Sequence, residues 1–81
     1  MSDPAKSPID AYVIQRVKEM REARGITQSE LATMLDISNG FIGQVESPNY
    51  RAKYNIKHLN RLAIIFKCSF AEFFPDKPFE A

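Results

Sequence analysis

The segment from Thr27 to Glu46, TQSELATMLDISNGFIGQVE, constrains the fold of this chain more than any other part. The Thr27 side chain can accept a hydrogen bond from an amide of a first helical turn, and Glu30, three residues later, can accept one from the Thr27 amide. This capping box predicts that a helix begins here. Ser38 is predicted to cap a second helix soon afterwards. The sequence therefore predicts two short helices joined by a tight turn.

The residues between and within these helices fit that layout. Asp36 lies where the chain must turn sharply, and Asp adopts the left-handed backbone conformation more readily than most residues. Ile42 and Val45 are three residues apart, so they lie on one side of the second helix. Asn39–Gly40 would be a hairpin signal between alternating strands, but no such strands flank it. Gly40 is then a helix residue that costs about 1 kcal/mol relative to Ala, which suggests a close approach of its backbone to something else.

A first and a fourth helix are predicted on either side of this pair. Ser7, with Pro8 after it, predicts the start of a helix that ends near Gly25. Asn55 can cap a later helix that follows an extended linker from Pro48 to Tyr54.

A short fifth helix, Phe70 to Phe74, is predicted because Ser69 and Glu72 repeat the capping-box spacing. The residues expected to face the core are Ile9, Val13, Val17 and Met20 in the first helix, Leu31, Ala32, Met34 and Leu35 in the second, and Leu59, Leu62, Ala63, Ile65 and Phe66 in the fourth. No strand pattern is present, so the predicted fold is all-α.

The length of 81 residues corresponds to one small domain, which can bury about 60% of its unfolded surface. We expect residues 1–7 to be a flexible N-terminal arm, residues 8–75 to form the domain and residues 76–81 to be a C-terminal tail. No apolar run approaches the roughly 20 residues that cross a bilayer, no signal-peptide pattern opens the chain, and a single cysteine fits a reducing compartment. These features predict a soluble, cytoplasmic protein.

Catalysis and metal binding are both disfavoured by the residue types present. One histidine and one cysteine are too few for an ordinary structural zinc site, and no nucleophile, phosphate-loop or metal-ligand grouping can be assembled. We predict a protein that is not an enzyme and has no metal, cofactor or small-molecule ligand. Cys68 is expected to be a small buried apolar group, and His58 a solvated residue in the first turn of the fourth helix.

The charge distribution is uneven although the formal net charge is only +1. Residues 27–47 carry three acidic residues and no Lys or Arg, whereas residues 48–67 carry no acid. The basic residues of the second stretch are Arg51, Lys53, Lys57, Arg61 and Lys67. They form either a solvated basic surface or, beside the two short helices, a clamp for phosphate groups.

These residues together resemble the Xre/Cro/phage-repressor type of helix-turn-helix domain. The resemblance covers about Val13 to Phe74. It depends on the run Met20 to Gly25, on Gln28, Leu31, Ala32, Ile37, Ser38, Ile42, Val45 and Glu46, and on Leu62, Ala63 and Ser69 through Phe74. It implies a five-helix, lambda-repressor-like fold in which helices 2 and 3 form the helix-turn-helix. The helix from residues 39–46 would enter the major groove of double-stranded DNA.

The resemblance also implies roles for particular residues. Gln28, at the start of the second helix, would hold a phosphate, and Asn39, Gly40, Gly43 and Gln44 would lie closest to the bases. A second implied feature is a structural ion pair that joins Arg21 in the first helix to Glu46, with two unrelated surface charges as the alternative. Departures from the family pattern are Asp36 and Lys67 at turn positions where Gly is common, and Pro48 where a Gly-containing turn is usual.

Helix geometry gives a separate estimate of the outward face, since each residue turns the side-chain direction by about 100°. With Ile42 in the core, Gly40 and Gln44 point away from it, and Phe41 and Gly43 lie on the flanks. Gln44 can bond to adenine N6 and N7, and Phe41 can lie against a thymine methyl group, which favours sites containing A·T pairs. The helix carries no Lys or Arg, so Arg51 and Lys53 beyond it are expected to contact phosphates.

The sequence therefore predicts a sequence-specific DNA-binding transcriptional regulator, either a repressor or a controller, that acts as a homodimer. The aromatic C-terminal residues Phe70, Phe73, Phe74 and Phe79 are candidates for the dimer contact, with closure of the core as the alternative. Tyr50 and Tyr54 either contact phosphates or pack over the core. A rival interpretation is a protein-interaction module, antitoxin-like or an adaptor, that uses the same fold.

Overall fold

Four α-helices make up most of the chain in a computed structural model, which describes residues 6–80. They are α1 (Pro8–Ala23), α2 (Gln28–Leu35), α3 (Asn39–Glu46) and α4 (Ile56–Phe66), followed by one turn of 3-10 helix at Phe70–Phe73. No strand occurs between residues 6 and 80. The all-α prediction is therefore confirmed for these residues. Most of the predicted arm, residues 1–5, and the last residue of the tail, Ala81, lie outside them.

The predicted fifth α-helix is replaced by that single 3-10 turn. Ser69 occupies the capping position but its side chain makes no capping hydrogen bond, and Phe74 is already extended. Pro75 explains the difference, because a residue that precedes proline is disfavoured in the helical conformation. The segment is then too short for α-helical hydrogen bonds and takes the tighter 3-10 form.

The capping box predicted at the start of α2 is confirmed. The Thr27 hydroxyl accepts the Glu30 amide at 3.0 Å, and a Glu30 carboxylate oxygen accepts the Thr27 amide at 2.8 Å. The bond from the Thr27 amide, and then the Thr27 hydroxyl, lower the pKa of the exposed Glu30 carboxyl. Ser7 also caps as predicted, since its hydroxyl oxygen accepts the Asp10 amide at 3.2 Å. Ser38 precedes α3 but makes no side-chain capping bond, which corrects the expectation for that residue.

The cap of α4 contains a residue that sequence analysis assigned to solvent. The Asn55 side chain accepts the His58 amide at 2.8 Å, and His58 Nδ1 accepts the Asn55 amide at 3.1 Å. His58 thus takes the position that Glu or Gln holds in an ordinary capping box. Its ring is half-buried, not solvated as expected, and lies near the rings of Phe41 and Tyr54.

The turns after α2 and α4 both use a left-handed residue other than glycine. Asp36 has a φ of 58° and Lys67 a φ of 54°. In each turn, the amide of this residue and the amide of the next one bond carbonyls of the last helical turn. Asp36 therefore adopts the conformation predicted for it.

The core lies between α1, α2, α3 and α4 and is closed by the 3-10 turn. The side chains with the least exposure are Val17, Leu31, Ala32, Ile42, Val45, Leu62 and Phe73. Met34 was expected in this core but is 41% exposed, because it lies about 100° of helix rotation away from the middle of the buried face of α2. Ile9 is 37% exposed and borders a surface hollow beside Pro78 and Phe79.

The burial of several other residues differs in degree from the prediction. Ile14 is buried although the predicted stripe omitted it, and Ala63, Ile65 and Cys68 are half-buried against the core. Burial raises the pKa of the Cys68 thiol. No helix within residues 6–80 is long and apolar enough to cross a membrane.

The two linker tyrosines have different environments. Tyr54 is buried in the core, whereas Tyr50 is half exposed. The Tyr54 hydroxyl is inaccessible to solvent and has no hydrogen-bond partner among the described residues. Its burial, with the nearby Glu46 charge, raises the pKa of Tyr54. Of the two predicted roles, core packing therefore applies to Tyr54.

Candidate nucleic-acid interface

A buried ion pair joins α1 to the end of α3. Arg21 Nε lies 2.9 Å from Glu46 Oε2, and Arg21 Nη2 lies 2.9 Å from Glu46 Oε1. The two side chains are only 8% and 4% exposed. Arg21 Nη1 also donates to the Ile26 carbonyl at 2.7 Å, so the guanidinium connects α1, the α1–α2 turn and α3. The hydrogen bonding of Arg21 to the Glu46 carboxylate is the main reason that the pKa of Arg21 is raised.

Gln28 bonds to the same carboxylate. Its side-chain Nε2 donates to Glu46 Oε1 at 2.9 Å, which ties the start of α2 to the end of α3. A Cβ atom built on Gly43 would lie 3.6 Å from Gln28 Oε1, an ordinary van der Waals contact, so Gly43 lies directly beside this side chain. Gln28 itself is exposed. Sequence reasoning missed this contact, because the two residues are distant in sequence and no local pattern links them.

The outward face of α3 carries most of the residues that helix geometry predicted for it. Ser38, Asn39, Gly40 and Gln44 are exposed, while Gly43 is half-buried. On the opposite side, Ile42 and Val45 have no exposed surface and attach the helix to the core.

Phe41, the remaining predicted reader on α3, is turned toward α4. Its ring centroid lies 5.4 Å from that of His58, and the side chain is half-buried against the core. Phe41 is therefore only partly exposed at the flank of the outward face.

The predicted basic cluster contacts two separate parts of the protein. Arg51 and Lys53 are exposed on the linker between α3 and α4, and Lys53 Nζ lies 3.6 Å from Asp10 Oδ2 in α1. Lys57 and Arg61, on α4, line a surface hollow of about 500 Å³ beside the α2–α3 turn. The linker pair follows α3 closely in the chain, whereas the α4 pair borders the turn between α2 and α3.

The fold matches those of known proteins. The profile of the family described as Helix-turn-helix matches residues 17–73. The chain belongs to the helix-turn-helix family. In this family member, the matched region runs from the second half of α1 through the 3-10 turn, so it includes all of α2, α3 and α4.

Two solved helix-turn-helix proteins are similar over most of their lengths. The restriction-modification controller protein C.AhdI from Aeromonas hydrophila is 26% identical, with a TM-score of 0.66, and the match covers 80% of this chain and 97% of that one. The N-terminal DNA-binding domain of SinR from Bacillus subtilis is 22% identical, with a TM-score of 0.67 and coverage of 83% and 96%.

An enzyme also shares the fold. Hydroxypropylphosphonic acid epoxidase from S. wedmorenis is 17% identical, with a TM-score of 0.70, over 85% of this chain but only 36% of that chain. At this identity the likeness concerns the fold alone. No protein curated for its function matches this chain by sequence.

Removing one partner of the buried pair is expected to destabilise the protein far more than removing both. Arg21→Met leaves the Glu46 carboxylate buried without its counter-charge, and Glu46→Gln leaves the guanidinium in the same situation, which costs about 3–5 kcal/mol in each case. The double variant should lose clearly less than the sum of the two. Urea unfolding of the four proteins measures this coupling, and strictly additive losses would show that the pair is not coupled.

The protein is expected to become less stable as the pH is lowered, and His58 is one cause. Burial, and then the Lys57 charge, lower the pKa of His58 below its ordinary value of 6.5. The unfolded chain, with His58 at its ordinary pKa, therefore takes up this proton at a higher pH than the folded one does. The stabilising contribution is complete above pH 6.5 and declines below it. Protonation would also replace the Nδ1 acceptor of the α4 cap by a donor.

His58→Gln is the matched control for this effect, because Gln can complete a capping box without titrating. Urea unfolding at about pH 7.5 and about pH 5.5, on either side of the ordinary histidine pKa, should show a larger loss of stability in the natural protein than in this variant. Equal losses in both proteins would assign the pH dependence to carboxyl groups alone.

Proposed function

We propose that this chain is a sequence-specific, double-stranded-DNA-binding transcriptional regulator, a repressor or controller, that places α3 in the major groove. The observation that carries the proposal is the two-sided character of α3. Ile42 and Val45 are fully buried behind it, while Gly40 and Gln44 face solvent in front. The major groove admits one α-helix, and a short helix held only from behind can enter it.

The proposed base reader is Gln44. Its carboxamide can donate to one edge atom of adenine and accept from another, and a good bidentate contact contributes about 1–3 kcal/mol of discrimination. Asn39 is exposed at the start of the same helix and is proposed as a second contact near the bases. Gly40 and Gly43 would allow close approach of the backbone, and the half-buried Phe41 is proposed to contact a thymine methyl group.

The proposed phosphate contacts surround this helix. Ser38 is exposed, and its hydroxyl is not used in capping, so it can donate to a phosphate. Gln28 has an exposed amide group at the start of α2, and Arg51 and Lys53 supply positive charge from the linker. Lys53 is also close to Asp10, so its phosphate contact would compete with that ion pair.

The regulator is proposed to act as a homodimer through its C-terminal aromatic residues. Phe73 is fully buried and closes the core, whereas Phe70, Phe74 and Phe79 are between 40% and 49% exposed. Two copies would present two α3 helices about 34 Å apart, one helical turn of DNA. Since α3 carries no cation, a second subunit would also double the phosphate contacts. Function by occupancy of a site needs no cofactor.

The relatives support this proposal over the protein-interaction alternative. C.AhdI is a restriction-modification controller, and one SinR structure, 24% identical over 73% of this chain with a TM-score of 0.61, is a complex with DNA. An antitoxin-like or adaptor function would use the same exposed phenylalanines for another protein. That alternative predicts copurification with a second protein and no selection of DNA sequences.

Selection from random duplex DNA at two salt concentrations, with the protein mass measured in solution, tests the proposal. The natural protein is expected to enrich a partly palindromic, A·T-containing site and to have the mass of a dimer. Gln44→Ala should relax base preference, whereas Arg51→Ala or Lys53→Ala should weaken binding to all sequences and lower the salt slope by about 0.9 for each lost phosphate contact. Absence of binding to any duplex at low salt would refute the function. An altered preference in Lys53→Ala but not in Gln44→Ala would refute the assigned face.

Gly40→Ala is expected to change stability and DNA binding in opposite directions. A Cβ at this position would have no described protein atom within 4 Å, so the variant should gain about 0.5–1 kcal/mol of stability from helix propensity. Its methyl group would occupy the surface proposed to lie against the bases, and affinity for the selected site should fall. Urea unfolding and DNA titration of the same sample measure both effects. A gain in both would show that the backbone at Gly40 does not approach DNA.

A further inference from the structure

A lysine from the start of the chain contacts the far end of the reading helix. Lys6 Nζ lies 2.5 Å from the Ser47 carbonyl oxygen and 3.5 Å from that of Gln44, and it also donates to the Tyr50 carbonyl. Ser47 and Tyr50 belong to the linker, and Gln44 is in the last turn of α3. One ammonium group therefore contacts the end of α3 and the first part of the linker at the same time.

The sequence at the end of α3 explains why an outside donor is useful there. The last carbonyls of a helix have no partner within the helix and are commonly satisfied by amides of a following glycine turn. Here Pro48 follows instead, and proline has no backbone N–H. Ser47 supplies one amide to the Gln44 carbonyl, at 3.2 Å. The Lys6 ammonium, with three donors, adds a second donor to the Gln44 carbonyl and also bonds the carbonyls of Ser47 and Tyr50, which follow the helix.

The charge at the C-terminal end of α3 is a second reason why a lysine is favourable there. The C-terminal end of a helix carries partial negative charge, and the last turn of α3 holds no basic residue but ends in Glu46. Arg21 balances the Glu46 carboxylate from within the core. Lys6 adds positive charge beside the exposed carbonyls, where the helix dipole favours it.

We propose that Lys6 is a positioning residue that caps α3 from a distant part of the sequence. It fixes the helix end that carries Gln44 and the linker that carries Arg51. Its effect on base reading rests on the proposed function, whereas its effect on the linker does not. Because its ammonium is engaged by backbone carbonyls, it sets the orientation of the reading helix and does not hold a DNA phosphate.

The test uses Lys6→Met, which keeps most of the side-chain length and removes the donors, and Lys6→Arg, which retains donors and charge. Lys77→Met, on the exposed tail, is the control that loses the same charge at a position outside this contact. The first measurement is amide hydrogen exchange of the folded proteins without DNA. The Ser47 and Tyr50 amides should exchange about two- to fivefold faster in Lys6→Met, the range expected for loss of a charge at a helix end, and Val17 should be unchanged.

The second measurement is affinity for the selected site and for random duplex DNA over a range of salt concentrations. Lys6→Met should lower the ratio of specific to random affinity by about two- to fivefold with an unchanged salt slope. Lys6→Arg should restore the ratio, and Lys77→Met should resemble the natural protein. A salt slope lower by about 0.9 would overturn the proposal and make Lys6 a phosphate contact.

Unchanged amide hydrogen exchange at Ser47 and Tyr50 in Lys6→Met would also overturn the proposal. If the natural protein bound no duplex at all, the proposed function would fail, and the exchange data would still decide whether Lys6 holds the linker. If Lys6→Met failed to fold, the comparison of Lys6→Arg with the natural protein would decide instead. Arg at this position should retain slow exchange at both amides, and fast exchange would contradict a capping role.

Discussion

The orientation of α3 depends on the carboxylate of Glu46, which bonds both the Arg21 guanidinium of α1 and the Gln28 amide of α2. Apolar contacts behind α3 are non-directional and would permit several rotations of a short helix. The bidentate geometry of an arginine and a carboxylate permits few. Desolvation of the two charges opposes their attraction, so the pair adds little net stability. Its contribution is to fix how the helix is turned relative to α1 and α2.

This fixation matters because α3 is a poor helix on its own. It has only eight residues, Asn39–Glu46, and two of them are glycines, each costing about 1 kcal/mol relative to alanine. Isolated helices of this length are not stable in water. Support comes from Ile42 and Val45 behind it, from Glu46 at its end and from the carbonyl contacts of Lys6. These supports lie behind α3 or at its C-terminal end, and the one at Gln44 uses the backbone carbonyl. Gly40 and Gln44 therefore remain exposed to solvent.

Sequence reasoning succeeded where a rule acts within about four residues. The box at Thr27, the left-handed turn at Asp36 and the paired inward positions Ile42 and Val45 all follow from local geometry, and the structure contains each of them. The fifth helix was wrong because the capping spacing was given more weight than Pro75.

Contacts between residues distant in sequence could not be predicted from such local rules. Gln28 was expected to face phosphate only, yet its amide also bonds Glu46, and Lys6 was included in a loose arm although it contacts α3. Both contacts join residues that only the assembled fold brings together. The Arg21–Glu46 pair was anticipated from family resemblance, and nothing in the local spacing indicates it. His58 lies between these cases, since its spacing from Asn55 fits a capping box, but histidine is not the usual partner.

The separation between α3 and the basic linker explains how a protein of nearly zero net charge can act on DNA. Phosphate contacts supply affinity without sequence information, whereas base contacts supply sequence preference. In the proposed complex, Arg51 and Lys53 would contact phosphates and Gln44 would contact a base. The two sets of residues are joined through the short segment whose carbonyls Lys6 holds. A rigid junction there would hold the proposed phosphate contacts and the proposed base contact of Gln44 at a fixed position relative to each other. With only Gln44 and Asn39 proposed as amide readers in each subunit, discrimination must be increased by symmetry, and for this reason we favour a homodimer over a monomer.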